Sequence, residues 1–321
     1  MENINLRKIA VIGCGFVGSA SAFALMQSGH FSEIVLLDAN QQKAEGEAMD
    51  ISHGIPFSRH MKVYAGSYDD IVDAAIIVIT AGAGQKPGES RLDLVHKNVA
   101  IFRSIIPEIT TRGCQGILLI VSNPVDILTY ITLKLSHFPE SRVIGSGTVL
   151  DTARLKYSLG ELLGVDSKSV HAFIIGEHGD SEIAAFSCAN ISGIGLDEFC
   201  EMRGYSDHIN KCREIACDVK NSAYEIIEKK QATYYGIAMS VRRICEVIIR
   251  DEKSILPLSC AMHGEYGIED VALSMPAIVG KDGVETHVPL ELDEGELDAL
   301  HGSAKTLREI LDECDLSELG C

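Results

Sequence analysis

The chain has 321 residues, enough for two domains of ordinary size. Hydrophobic residues are 46% and charged residues 23%, a globular balance that excludes a disordered, collagenous or mucin-like chain. The net charge of −18 disfavours nucleic acid and anionic membranes as general partners, but not an anionic small ligand held at a local site. No run of about 18 uncharged apolar residues occurs, so no transmembrane helix is expected. The N-terminus leads into a strand-like segment and carries no export signal. The ten Cys are scattered without a C-x-x-C pair, which predicts reduced thiols in a cytoplasmic protein and no metal site.

In chain order, Lys8–Ile12 reads as a strand and Val17–Ser28 as a helix. A strand at Ile34–Leu37, a helix at Lys43–His53 and strands at Val63–Tyr64 and Ala75–Ile79 follow. A long helix near Asp93–Arg112 precedes the strand Ile117–Val121, the helix Val125–Leu135 and the short strand Val143–Ile144. These strands are continuous Val/Ile/Leu runs, the pattern of a parallel sheet covered by helices on both faces. Past Gly145 the texture changes. Leu150–Leu163 and His208–Arg250 read as helical, the latter as two helices in succession. Strands are expected at Val170–Ile175, Ser254–Cys260, Val271–Val279 and Val284–Pro289, the last two joined by a turn at Lys281-Asp282-Gly283. A helix over Glu294–Asp315 closes the chain.

Ile9–Gly18 is a strand running into G-x-G-x-x-G at the start of a helix. Gly13 permits the tight turn, Gly15 lets a pyrophosphate approach the backbone, and Gly18 lets helix pack on strand. Asp38 ends the next strand, placed to accept hydrogen bonds from ribose hydroxyls and to repel a 2′-phosphate, so NAD is favoured over NADP. The fold class is therefore α/β: a Rossmann-type doubly wound parallel sheet over 1–145, followed by an α+β substrate domain over 146–321.

Thr80–Arg91 follows a strand and holds three Gly and a Pro, the composition of a mobile lid, with Arg91 able to polarise a substrate carbonyl on closure. Asn123 also sits at a strand's carboxyl end, where its amide suits a carboxamide or a carbonyl, although a helix N-cap would explain it too. Asp151 and Arg154 are three apart on one helix and share a face. They are either a simple intrahelical ion pair or two separate tools, Arg154 a fork for a carboxylate and Asp151 a partner for a histidine. His178, flanked by glycine in Gly176-Glu177-His178-Gly179-Asp180, is the candidate general acid/base.

The segments GESRLDLV, SNPVDILTY, GSGTVLDTARL, GEHGDSE and ATYYGIA, in this order, resemble those of the L-lactate/malate dehydrogenase family, and in particular its bacterial NAD-dependent lactate-specific members. The resemblance covers nearly the whole chain. It implies reversible hydride transfer between NADH and pyruvate to give (S)-lactate, the last step of lactate fermentation from glycolysis. It implies that His178 is the proton donor and acceptor, that Asp151 stabilises its charge, that Arg91 polarises the carbonyl and that Arg154 grips the carboxylate. Gln85, Asn123, Asp126, Thr233 and Ile237 complete the implied substrate set. Gly13, Gly15, Val17, Gly18, Asp38, Lys43, Tyr68, Gly82, Ala83, Ser104, Val121, Asn123 and Ser146 match cofactor-contacting positions.

Gln85 stands where the family's malate-specific members carry Arg, so a second substrate carboxylate would lack its counter-ion. The rival readings are a malate or L-2-hydroxyisocaproate-type dehydrogenase and a non-catalytic NAD sensor. The sensor is disfavoured because His178, Arg91, Arg154 and Asp151 are all present. Many bacterial relatives are homotetramers activated by fructose 1,6-bisphosphate, bound between subunits on an Arg and a His. His171 matches the His and Lys156 replaces the Arg, which predicts a weakened or altered activator site.

Overall fold

The computed structural model describes residues 4–84 and 91–314, Arg91 by its backbone alone. The first half alternates strands and helices as β1 (Asn5–Ile12), α1 (Phe16–Ser28), β2 (Glu33–Leu37), α2 (Gln41–His53), β3 (Lys62–Ala65) and β4 (Ala74–Ile79). It continues through α3 (Arg91–Thr110), β5 (Ile117–Ile120), α4 (Val125–Ser136) and β6 (Val143–Gly145). These six strands pair in parallel in the order β3-β2-β1-β4-β5-β6, the doubly wound arrangement expected.

The two faces of β1 show why the strands are unbroken apolar runs. Ala10 and Ile12 enter the core under α3 and α4, whereas Ile9 and Val11 enter the core under α1, α2 and a later helix that contributes Val241, Ile244 and Ile248. All four are buried. Fully burying each Ile or Val contributes about 1.5–3 kcal/mol, so a polar residue on either face of this strand is costly.

The second half holds α5 (Val149–Leu163), five two-residue strands, and α6 (Leu196–Met202). The short strands are β7 (Val170–His171), β8 (Ile174–Ile175), β9 (Ile183–Ala184), β10 (Asn190–Ile191) and β11 (Ile194–Gly195). Then come α7 (His208–Lys230), α8 (Tyr235–Arg250), β12 (Ser254–His263), β13 (Glu269–Gly280), β14 (Gly283–His287) and α9 (Glu294–Glu313). The break between α7 and α8 falls at Gln231, which has φ +70°. A capping box of Asp293 and Glu296 opens α9.

The strands β9, β10 and β11 and the helix α6 were not expected from the sequence, and one expected strand differs. Val170–Ile175 is not one strand: β7 joins β10 and β11, while β8 pairs with β9. Hydroxyls of Thr152 on α5 and of Thr148 just before it account for the split. Thr152 Oγ1 accepts from Ile174 N–H at 2.8 Å and Thr148 Oγ1 donates to Ile174 O at 2.5 Å, taking up backbone groups that a continuous ladder would have used. The antiparallel strands β12-β13-β14, whose sheet the sequence left open, join the parallel strands. Ser259 on β12 pairs with Gly145 on β6, so one nine-stranded sheet runs across position 145. A Cβ on Gly145 would stand 2.4 Å from Thr129 Oγ1 and 2.7 Å from Ser259 Cβ, so glycine permits this junction.

The nine cysteines among the described residues are all free. No described helix is long and apolar enough to cross a membrane.

Candidate active site

A cleft of about 760 Å³ opens at the carboxyl ends of β1 and β4, where the strand order reverses. Ligands of doubly wound sheets bind at this place. The three glycines of the first turn serve three different ends. Gly13 has φ +99°, and a Cβ there would lie 2.5 Å from Ala81 N. A Cβ on Gly18 would lie 1.8 Å from Gly13 O, so α1 could not seat on the turn. A Cβ on Gly15 would meet nothing within 4 Å; it would project into the cleft. The backbone does not require glycine there, and the space does. A pyrophosphate at the N-terminus of α1 fits that requirement.

Asp38 lines the cleft with its carboxylate held from behind. Oδ2 accepts from Cys14 N–H at 2.7 Å and Oδ1 from Asn40 N–H at 2.8 Å. Lys43, Tyr68, Gly82 and Ser104 line the same cleft. Thr80, Glu108 and Arg112 line it as well, unforeseen in the sequence; Arg112 lies over the Tyr68 ring at 5.6 Å. Val17 and Gly18 pack beneath the turn. Val121, Asn123 and Ser146 follow directly on β5 and β6, at the same edge of the sheet.

Farther along, α5 presents Asp151 and Arg154. Asp151 is buried (2% exposed) and its two oxygens are divided. Oδ1 accepts from Arg154 Nη1 at 2.8 Å, and Oδ2 accepts from His178 Nδ1 at 2.6 Å. The ion-pair and histidine-partner readings of Asp151 thus hold together. Burial disfavours its charge, yet His178 and Arg154 keep its carboxyl below the usual range. Burial likewise opposes the imidazolium, but the Asp151 charge and hydrogen bond outweigh it and lift His178 to about 9. About a quarter of the His178 side chain stays exposed. With Nδ1 engaged, Nε2 is the nitrogen left for chemistry.

The loop carrying His178 is fixed from two sides. Asp126 lies buried on α4, and its Oδ2 accepts from His178 N–H at 2.8 Å. Burial pushes this carboxyl up to about 6. From α9, Ser303 Oγ accepts from Glu177 N–H at 2.8 Å and lies 3.0 Å from Ser181 Oγ. Asn98, buried on α3, ties two further segments. Its Oδ1 accepts from Ala83 N–H and its Nδ2 donates to Asn123 O, each at 2.7 Å. Asn98 was missed in the sequence, although a polar residue among the buried Val95, Val99 and Phe102 was a signal.

Residues 7–145 match the lactate/malate dehydrogenase NAD binding domain, and residues 148–316 match the lactate/malate dehydrogenase alpha/beta C-terminal domain. The chain belongs to the lactate/malate dehydrogenase family.

Among its curated relatives, the L-lactate dehydrogenase 1 of Clostridium acetobutylicum is 54% identical over 95% of this chain and 97% of its own. The L-lactate dehydrogenase of Acetivibrio thermocellus is 51% identical over 98% and 99%. The minor L-lactate dehydrogenase of Enterococcus mundtii in its ligands-bound form superposes with a TM-score of 0.93 at 44% identity, covering 97% and 99% of the two chains. Its ligands-unbound form gives 0.88.

Within this family member, Thr233 lies just before α8 and Ile237 within it, both half-buried. Lys156 on α5 is half-buried, and burial lowers its ammonium's pKa. His171 is exposed on β7, which packs on α5. Gln85, the lid residues up to Ser90 and the Arg91 side chain lie outside the described residues.

The glycine geometry separates fold from binding. Gly15→Ala should melt like the parent and bind NADH at least roughly tenfold more weakly. Gly18→Ala should lose about 1–3 kcal/mol of stability before any cofactor is added. Thermal unfolding of the apoprotein and NADH fluorescence titration read the two effects.

Proposed function

We propose that this chain is an L-lactate dehydrogenase, reducing pyruvate to (S)-lactate reversibly with NADH. The observation that carries the proposal is the His178–Asp151 bond beside Arg154, at the same sheet edge as the dinucleotide cleft. Residues 1–145 serve as the dinucleotide-binding part and residues 146–321 as the substrate part. Gly13, Gly15, Asp38, Lys43, Tyr68, Gly82 and Ser104 would hold the cofactor. When bound, the nicotinamide supplies the hydride for reduction and takes it back in oxidation.

The protein's own groups do the rest. His178 Nε2 donates a proton to the carbonyl oxygen as negative charge develops there, and Asp151 supports the imidazolium until it does so. Arg154 spends one nitrogen on Asp151 and has no other partner among the described residues. Its remaining N–H groups are free to grip the substrate carboxylate. Arg91 polarises the carbonyl, and Asn123 orients it at the end of β5. Asp126 works from behind: it is buried under the His178 backbone, so it acts on the substrate through that loop.

Substrate choice follows from Gln85. A neutral side chain there leaves the second carboxylate of oxaloacetate without a counter-ion, whereas the pyruvate methyl needs none. The activator reading follows from Lys156, a point charge where a planar fork would hold phosphate more firmly. The homotetramer is supported by exposed apolar side chains such as Phe57 (94%), Met49 (62%) and Met239 (54%), which suit burial against another copy. The cytoplasm suits the nine free cysteines among the described residues.

Pyruvate reduction needs His178 protonated. Its kcat/KM should stay level through neutral pH and fall about tenfold per pH unit beyond about 9, while that of lactate oxidation should rise with pH up to about 9 and level off above it. Asp151→Asn should move the limb down by roughly 1–3 units. A flat profile for both enzymes would contradict the role of His178. Gln85→Arg should raise oxaloacetate turnover relative to pyruvate by at least roughly tenfold, read from steady-state kcat/KM. Titration with fructose 1,6-bisphosphate should lower the pyruvate half-saturation only modestly, and Lys156→Arg should enlarge the response.

A further inference from the structure

Glu182 has no part in the chemistry above, yet it is packed against the groups that perform it. The residue is buried at 8% exposure. Its N–H donates to Gly179 O at 3.2 Å, closing the turn that carries His178. One carboxylate oxygen of Glu182, one of Asp151 and a ring nitrogen of His178 all lie within 4.8 Å of one another. Glu182 Oε1 is buried and has no hydrogen-bond partner. An unpartnered buried carboxyl oxygen is costly, so the charges around it matter. Those charges are Asp151 and Arg154 on α5, His178 on its loop and Lys220 on α7, and Asp126 of α4 also acts on His178.

We propose that Glu182 is a positioning residue for the proton-transfer step, a second buried carboxyl that faces the His178–Asp151 pair and holds the imidazolium as the solution turns alkaline. This role rests on His178 being the proton donor, as read above. Burial, and then the Asp151 charge, push the Glu182 carboxyl up to about 8. His178 gives up its proton higher, at about 9. Glu182 is therefore neutral at neutral pH, where an anion would repel the incoming substrate carboxylate. It becomes an anion shortly before His178 would lose its proton, and a negative charge at this range opposes that loss. The cluster is a poor metal site by the same token. Arg154 and the imidazolium already neutralise Asp151, which leaves little attraction for a cation.

The test reads the imidazole directly. Nitrogen-15 NMR of histidine-labelled protein, with His178→Asn to assign the signal, follows the His178 titration without turnover. In Glu182→Gln the midpoint should fall by roughly one pH unit, and the alkaline limb of pyruvate kcat/KM should fall with it. Glu182→Asp keeps the carboxyl and should fall less; it also serves if the Gln variant does not fold. An unmoved midpoint in a folded Gln variant that binds NADH overturns the role of Glu182 alone. A midpoint that falls while the kinetic limb stays put overturns His178 as proton donor, and the catalytic role of Glu182 with it.

Discussion

The carboxylate of Asp151 is almost wholly removed from water and divided between two cations, Arg154 on one oxygen and His178 on the other. A buried carboxylate with neither of these partners would be an uncompensated charge and strongly destabilising. With both, it fixes three things together. It selects which imidazole nitrogen is left without a partner, it favours the charged imidazole at neutral pH, and it anchors one nitrogen of Arg154. The remaining polar contacts hold Asp151's partners in place: Asp126 from α4 and Ser303, through Glu177, from α9 both act on the His178 loop.

The sheet brings this pair to the cofactor. Parallel strands leave all their carboxyl ends on one edge, and β1, β4, β5 and β6 deliver the Gly-rich turn, Gly82, Asn123 and Ser146 to it in succession. The antiparallel addition of β12 to β6 makes the second half continuous with the first, and α5, following β6 directly, starts from the same edge. A net charge of −18 accordingly describes the outer surface, while the site that takes two anions is lined with Arg154 and a charged His178.

Much of this was legible in the chain because it is local. The G-x-G-x-x-G turn, Asp38 just after β2, and the Asp151/Arg154 spacing are short-range patterns, although the last had two readings that only the contact with His178 joined. What was not legible depends on contacts between distant segments. Ser303 meets Glu177 across 126 positions, and nothing near either residue announces it. Glu182 sits inside a quoted motif, but only the fold turns it toward Asp151. Asp126 was grouped with the substrate contacts by its motif, and the fold buries it behind His178. The Val170–Ile175 run has the composition of one strand and is divided by the hydroxyls of Thr148 and Thr152, which apolar patterning does not register. The edge to which β12 adds is likewise a tertiary choice; periodicity identifies the strand and not its neighbour.

The central claim is that the buried Asp151–His178 pair serves a lactate dehydrogenase. Steady-state oxidation of NADH with pyruvate, oxaloacetate and 2-oxoisocaproate at neutral pH tests it most directly. The account predicts the highest kcat/KM for pyruvate and poor turnover of oxaloacetate. A preference for oxaloacetate, or no oxidation of NADH with any of the three, would contradict it.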